Sequence, residues 1–166
     1  MITNILTYLD NNALRFPDKI AIADDKSTLT FAEWKHYAEV IGTALCDTFG
    51  QQMRKPVLVF VDRRIEGLVG FMGVVESGNF YVPIDSKMPD QRIKLIIDVL
   101  NPIAAITTTI ADEKKLKSID FNGVVLQYDI IKNNNVNIRC LTEVRSKAID
   151  TDPLYAIFTS GSTGVP

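Results

Sequence analysis

Apolar residues in this chain recur at two spacings, and the switches between them mark out the elements. Over 19–31, KIAIADDKSTLTF, apolar positions alternate on either side of a charged tip at 24–27, which predicts a hairpin. Thr30 and Glu33 then stand three apart ahead of Trp34, Tyr37, Ala38, Ile41 and Leu45, so a capping box opens an amphipathic helix that Gly50 closes. PVLVFV (56–61) is a continuous apolar run of strand length, the pattern of a central strand covered on both faces. Ile65, Leu68, Val69, Met72 and Val75 return to helical period as far as Gly78, and Gly67, Gly70 and Gly73 would let that helix approach a neighbour closely.

Residues 80–84 predict a strand carrying Pro83 near its end. Ile93, Ile96, Ile97 and Leu100 predict a helix from about Pro89 to just before Pro102. Strands are expected at 103–108, 123–128 and 154–158, and the polar run NNNVN (133–137) reads as loop. Strands alternating with helices over short connections imply an α/β fold: a mainly parallel sheet flanked by helices on both sides. In such sheets ligands gather beyond the carboxyl ends of the strands. The stretch that follows the last strand, TSGSTG (159–164), would lie there.

Composition narrows the partners. With 166 residues and 46% of them hydrophobic, the chain can bury one real core. Eighteen basic against 20 acidic residues, net charge −2, leave no electrostatic footprint for nucleic acid or an anionic membrane. Nowhere do ~18 consecutive apolar residues occur, and the N-terminus lacks a basic segment followed by an apolar one, so neither a membrane span nor a signal peptide is predicted. Cys46 and Cys140 are far apart without CxxC spacing, which fits reduced thiols and a cytoplasmic location.

Thr159, Ser160, Gly161, Ser162, Thr163 and Gly164 form either a Gly/Ser spacer or a phosphate-binding loop. Glycines permit consecutive amides to fold into a concave nest, and the four hydroxyls add short neutral donors. The apolar strand directly in front favours the nest. A Walker P-loop is excluded, because Val165 and Pro166 follow Gly164 where that motif needs Lys, and no GxGxxG occurs.

LTFAEW (29–34), ESGNFYVPID (76–85), PDQRI (89–93) and LYAIFTSGSTGVP (154–166) together resemble, in order, the successive N-terminal motifs of the adenylate-forming enzymes. The likeness is greatest to amino-acid adenylation domains of nonribosomal peptide synthetases and to D-alanine carrier-protein ligases, and YVPID favours amino-acid activation over acyl-CoA or luciferase-type relatives. The resemblance implies that residues 159–164 embrace the β- and γ-phosphates of ATP, with Mg²⁺ accompanying the nucleotide and no residue here assigned as a metal ligand. It implies two steps: an amino-acid carboxylate attacks the α-phosphorus, releasing pyrophosphate, and the acyl group then passes to the phosphopantetheine thiol of a carrier protein. The other three motifs are assigned to scaffold.

The family motif usually continues with Lys after the Pro, and its adenine-, ribose- and substrate-gripping residues come later still. Residues 1–166 therefore read as the N-terminal α/β portion of an adenylation domain, truncated at the phosphate loop and inactive alone. The first motif lies only ~30 residues after Met1, too few for an upstream domain, which favours a stand-alone ligase or a loading module. A non-catalytic α/β module or degenerate adenylation remnant, and an acyl-CoA synthetase-like ligase, are the alternatives. His36, between Trp34 and Tyr37, reads as a helix-surface residue; Lys114, Lys115 and Lys117 as a solvated helix face; Cys46 as a small core residue.

Overall fold

A computed structural model describes residues 4–158. In chain order the elements are α1 (Leu6–Arg15), β1 (Ile20–Ala23), β2 (Thr28–Thr30), α2 (Phe31–Phe49), β3 (Pro56–Val61), α3 (Ile65–Glu76), β4 (Phe80–Asp85), α4 (Asp90–Leu100), β5 (Ala104–Thr107), α5 (Ile110–Ser118), β6 (Val124–Gln127), α6 (Tyr128–Ile131) and α7 (Ile138–Ser146). β1 and β2 pair antiparallel as the predicted hairpin, its tip closed by Asp24 Oδ1, which accepts the Lys26 and Ser27 N–H groups at 2.7 and 2.8 Å. The predicted capping box starts α2: Thr30 Oγ1 accepts the Glu33 N–H at 3.2 Å and Glu33 Oε2 accepts the Thr30 N–H at 2.8 Å. Gly50 (φ 66°) ends that helix.

The four remaining strands form one parallel sheet in the order β4-β3-β5-β6. Its central strand β3 is buried from Pro56 to Phe60, as its unbroken apolar run requires. Val57 and Val59 face one side, packed with Ile41, Leu45, Val69 and Val74 of α2 and α3. Leu58 and Phe60 face the other, packed with Ile93 and Ile96 of α4 and Leu116 of α5. Helices thus cover both faces, as expected.

Glycines set the spacing between layers. A Cβ added at Gly73 would lie 2.5 Å from the Ile41 Cβ, and one at Gly42 would lie 2.5 Å from the Glu76 Cβ, so α2 and α3 touch almost backbone to backbone. Asn79 ties the sheet's amino end together by accepting the Lys55 N–H at 2.9 Å.

Three helices were not anticipated. α1 and α7 are short and amphipathic, with Leu6, Leu9 and Ala13 in one and Ile138, Leu141 and Val144 in the other at helical spacing, and α6 is a single turn. Residues 154–158 return to the sheet as predicted, but as a single parallel bridge, Tyr155 to Tyr81, instead of a full strand.

Where α1, α2, α3 and α7 meet, Glu76 is buried beside Lys35 and Arg145 and the acids Asp10 and Glu39. The cations are already engaged. Lys35 Nζ lies 3.2 Å from Asp10 Oδ1 and also pairs with Glu39, while Arg145 Nη2 donates to Thr7 Oγ1 at 3.1 Å and lies 3.4 Å from Asp10 Oδ2. Burial dominates over these charges and pushes the Glu76 carboxyl up to about 7.

Two predictions follow from this packing. Gly73→Ala forces the Ile41 Cβ aside and is expected to lower stability by about 1–3 kcal/mol, read from the urea midpoint. Because the folded state raises the Glu76 pKa above that of the free carboxyl, the protein is favoured while Glu76 is protonated, and this advantage fades as pH climbs towards and through 7. Glu76→Gln should therefore match the parent near pH 4, below the ordinary carboxyl range, and exceed it by up to about 3 kcal/mol at pH 8, which urea titrations at the two pH values check.

Candidate functional site

The hexapeptide Thr159, Ser160, Gly161, Ser162, Thr163 and Gly164 lies outside the described residues; the scaffold leading to it is described. Tyr81 N–H donates to the Leu154 carbonyl at 3.2 Å and Ala156 N–H donates to the Tyr81 carbonyl at 3.0 Å, so residues 154–158 run parallel to β4. A parallel neighbour leaves at the same end as the strand beside it, here the carboxyl rim of the sheet. Side chains alternate along this segment as in a strand. Ala156 and Phe158 pack against the cluster under α4 and α5, while Tyr155 stacks 5.8 Å from Tyr81, which itself stacks 4.2 Å from Phe71 of α3.

Arg92 fixes the end of the segment. From the first turn of α4 its Nη2 donates to the Phe158 carbonyl at 3.2 Å, joining PDQRI to the residue that precedes TSGSTG. PDQRI was assigned to scaffold, and this contact of Arg92 with Phe158 was not read from the sequence. The signal was present: a cation in a helix's first turn opposes the macrodipole, so its placement there needs another reason.

The β4–α4 turn beside it is pinned twice. Asp85 Oδ1 accepts the Lys87 N–H and the Asp85 carbonyl accepts the Met88 N–H, both at 2.8 Å. Lys115 of α5 donates to the Ser86 and Met88 carbonyls at 2.8 and 2.7 Å and lies 3.6 Å from Asp90. Lys115 therefore does not belong to a solvated face, as its neighbours in sequence implied; its four-carbon stem lets the ammonium cross to the next connection. His36 is exposed on α2, its ring 5.5 Å from Tyr37, as expected of a surface residue.

On the other side of the rim, Asp24 Oδ2 accepts the Ile65 N–H at 3.0 Å, so the hairpin tip caps α3. The N–H groups of Lys26 and Ile65 hold the Asp24 carboxyl down to about 2. Among the described residues, the buried side-chain polar atoms without a protein partner are Asp62 Oδ1, Glu66 Oε2, Ser86 Oγ, Thr107 Oγ1 and Arg92 Nε. Asp62, Ser86 and Thr107 sit at the carboxyl ends of β3, β4 and β5, and Glu66 and Arg92 in the first turns of α3 and α4. Native interiors rarely leave such groups unmatched, so their concentration at one rim singles it out. A cleft of about 720 Å³ is at the opposite end, where Asn101, Phe121 and Gly123 border the starts of β5 and β6. We place the candidate site at the carboxyl rim because residues 154–158 run towards it along β4 and the unmatched polar atoms gather there.

Among the described residues no group of three or more His, Cys, Asp or Glu side chains is placed to hold a metal ion, and no helix is long and apolar enough to cross a membrane. The sequence model of the AMP-binding enzymes matches residues 9–166. The chain belongs to this AMP-binding enzyme family. It is 31% identical over 176 residues to a D-alanine–D-alanyl carrier protein ligase of Lactiplantibacillus plantarum, covering 100% of this chain and 31% of that protein. It thus spans about a third of its curated relatives' length. In fold this family member resembles the crystal structure of VinN (TM-score 0.79, 19% identity, 98% of this chain and 44% of that one) and the nonribosomal peptide synthetase FmoA3 (TM-score 0.76, 23% identity, 92% and 16%).

Arg92→Gln removes the charged donor to the Phe158 carbonyl. Amide exchange at Ala156 is expected to accelerate by roughly tenfold, the effect of losing about 1.5 kcal/mol, while α2 amides stay unchanged.

Proposed function

We propose that the chain supplies the N-terminal α/β part of an ATP-dependent ligase that activates an amino acid as its adenylate and passes it to the phosphopantetheine thiol of a carrier protein. The relationship to D-alanine–D-alanyl carrier protein ligases along the whole chain carries this reading. The parallel run of 154–158 along β4 and the hold of Arg92 on Phe158 support it, since they end the described segment at the carboxyl rim.

In this reading Thr159, Ser160, Gly161, Ser162, Thr163 and Gly164 contact the ATP phosphates. The donor set suits that anion: backbone amides and hydroxyls are neutral, so they gather around a polyphosphate without ion-pair geometry. The charge of the triphosphate is then left for Mg²⁺, whose preference for oxygen ligands and retained water suits coordination through the phosphates. D-alanine is the favoured substrate and a phosphopantetheinylated carrier protein the favoured acceptor.

Pyrophosphate exchange into ATP tests the reading. The full-length ligase carrying this sequence is expected to exchange with D-alanine in preference to L-amino acids, and residues 1–166 alone to show only background. Replacing Gly161 and Gly164 together by Val should lower exchange by at least about a hundredfold, the loss expected when preorganised donors are misplaced. Exchange driven by fatty or aryl acids and not by amino acids would overturn the substrate assignment.

A further inference from the structure

The two cysteines are 94 residues apart in sequence, yet α2 and α7 bring them together. Near the start of α7 the Asn137 N–H donates to Thr43 Oγ1 at 3.0 Å, which fixes the register of α7 against α2. Farther along, Gln51 just beyond α2 hydrogen-bonds Glu143 of α7, so the two helices run in the same direction. One helical turn beyond Thr43 and Asn137 lie Cys46 and Cys140. Cys46 is buried with Leu141 and Val144, and Cys140 packs against that cluster with one side towards solvent.

We propose that Cys46 and Cys140 form a reversible oxidative cross-link, closed by exchange with a low-molecular-weight disulfide. The accessible Cys140 thiolate attacks one sulfur of the disulfide RSSR, forming Cys140–S–S–R and releasing RS⁻. Cys46 then gives up its proton and attacks the Cys140 sulfur, closing the Cys46–Cys140 bond and expelling the second RS⁻. The two thiol protons end on two RSH, so RSSR is reduced as the pair is oxidised. The inner thiol sets the pace of closure: burial first, then the carboxylates of Asp47 and Glu76, push Cys46 above the ordinary thiol range.

The test incubates the chain with excess oxidised glutathione under native conditions and follows free thiols, intact mass and tryptic peptides. Loss of both thiols, with two hydrogens lost from the intact mass and a Cys46–Cys140 peptide that reduction releases, is the expected result. The closing step should accelerate about tenfold per pH unit between pH 7 and 9, because the attacking thiol titrates far above that range. Cys46→Ala should stop at a stable glutathione adduct on Cys140, and Cys140→Ser should leave Cys46 unmodified. A lasting adduct on the parent chain, cross-linked dimers in place of the internal bond, or two thiols that persist would each overturn the proposal.

Discussion

The structure depends on the burial of β3 on both faces. A strand with no solvent side needs hydrogen-bonded neighbours on both edges and apolar cover above and below, and each requirement is met by a nearby part of the chain. β4 and β5 flank it in parallel, so the connections must cross over as helices. α3 reaches close enough only because Gly67 and Gly70 present no side chain to Val61 and Val59. The order β4-β3-β5-β6 then follows: one crossover runs outward from β3, and the next returns across it.

That order puts every strand's carboxyl end on one rim, and the rim is where the polar irregularities collect. Asp24 caps α3, Asp85 and Lys115 pin the β4–α4 turn, and Arg92 grips Phe158. These contacts link three of the four motifs to one edge of the molecule. A loop is only as well aimed as the backbone that leads into it, and here that backbone is held by the neighbouring strand and by a helix.

Wherever burial imposes a period, the fold was legible. The hairpin, the capped α2, the fully apolar β3 and the helical stripes of α3 and α4 all stood out because long runs of residues face one core. α1 and α7 were passed over although Leu6, Leu9 and Ala13, and Ile138, Leu141 and Val144, recur at helical spacing, because each stripe is shorter than the four-residue stripe of α4. The family was legible in the order of its motifs. The contacts at the carboxyl rim were not legible, since the bonds of Arg92 to Phe158 and of Lys115 to Ser86 join residues whose nearness no local pattern encodes. Cys46 and Cys140 make the same point: spacing along the chain said nothing of the shared register of α2 and α7.

The bridge between Tyr81 and Tyr155 has a kinetic consequence. β3 and β4 can meet after closing one short crossover, whereas Tyr155 must wait for everything between it and β4 to be placed, and loop-closure entropy delays such distant pairings. Residues 154–158 are thus expected among the last parts of the sheet to assemble. A nascent polypeptide would complete its central layer before the last edge of that layer was covered.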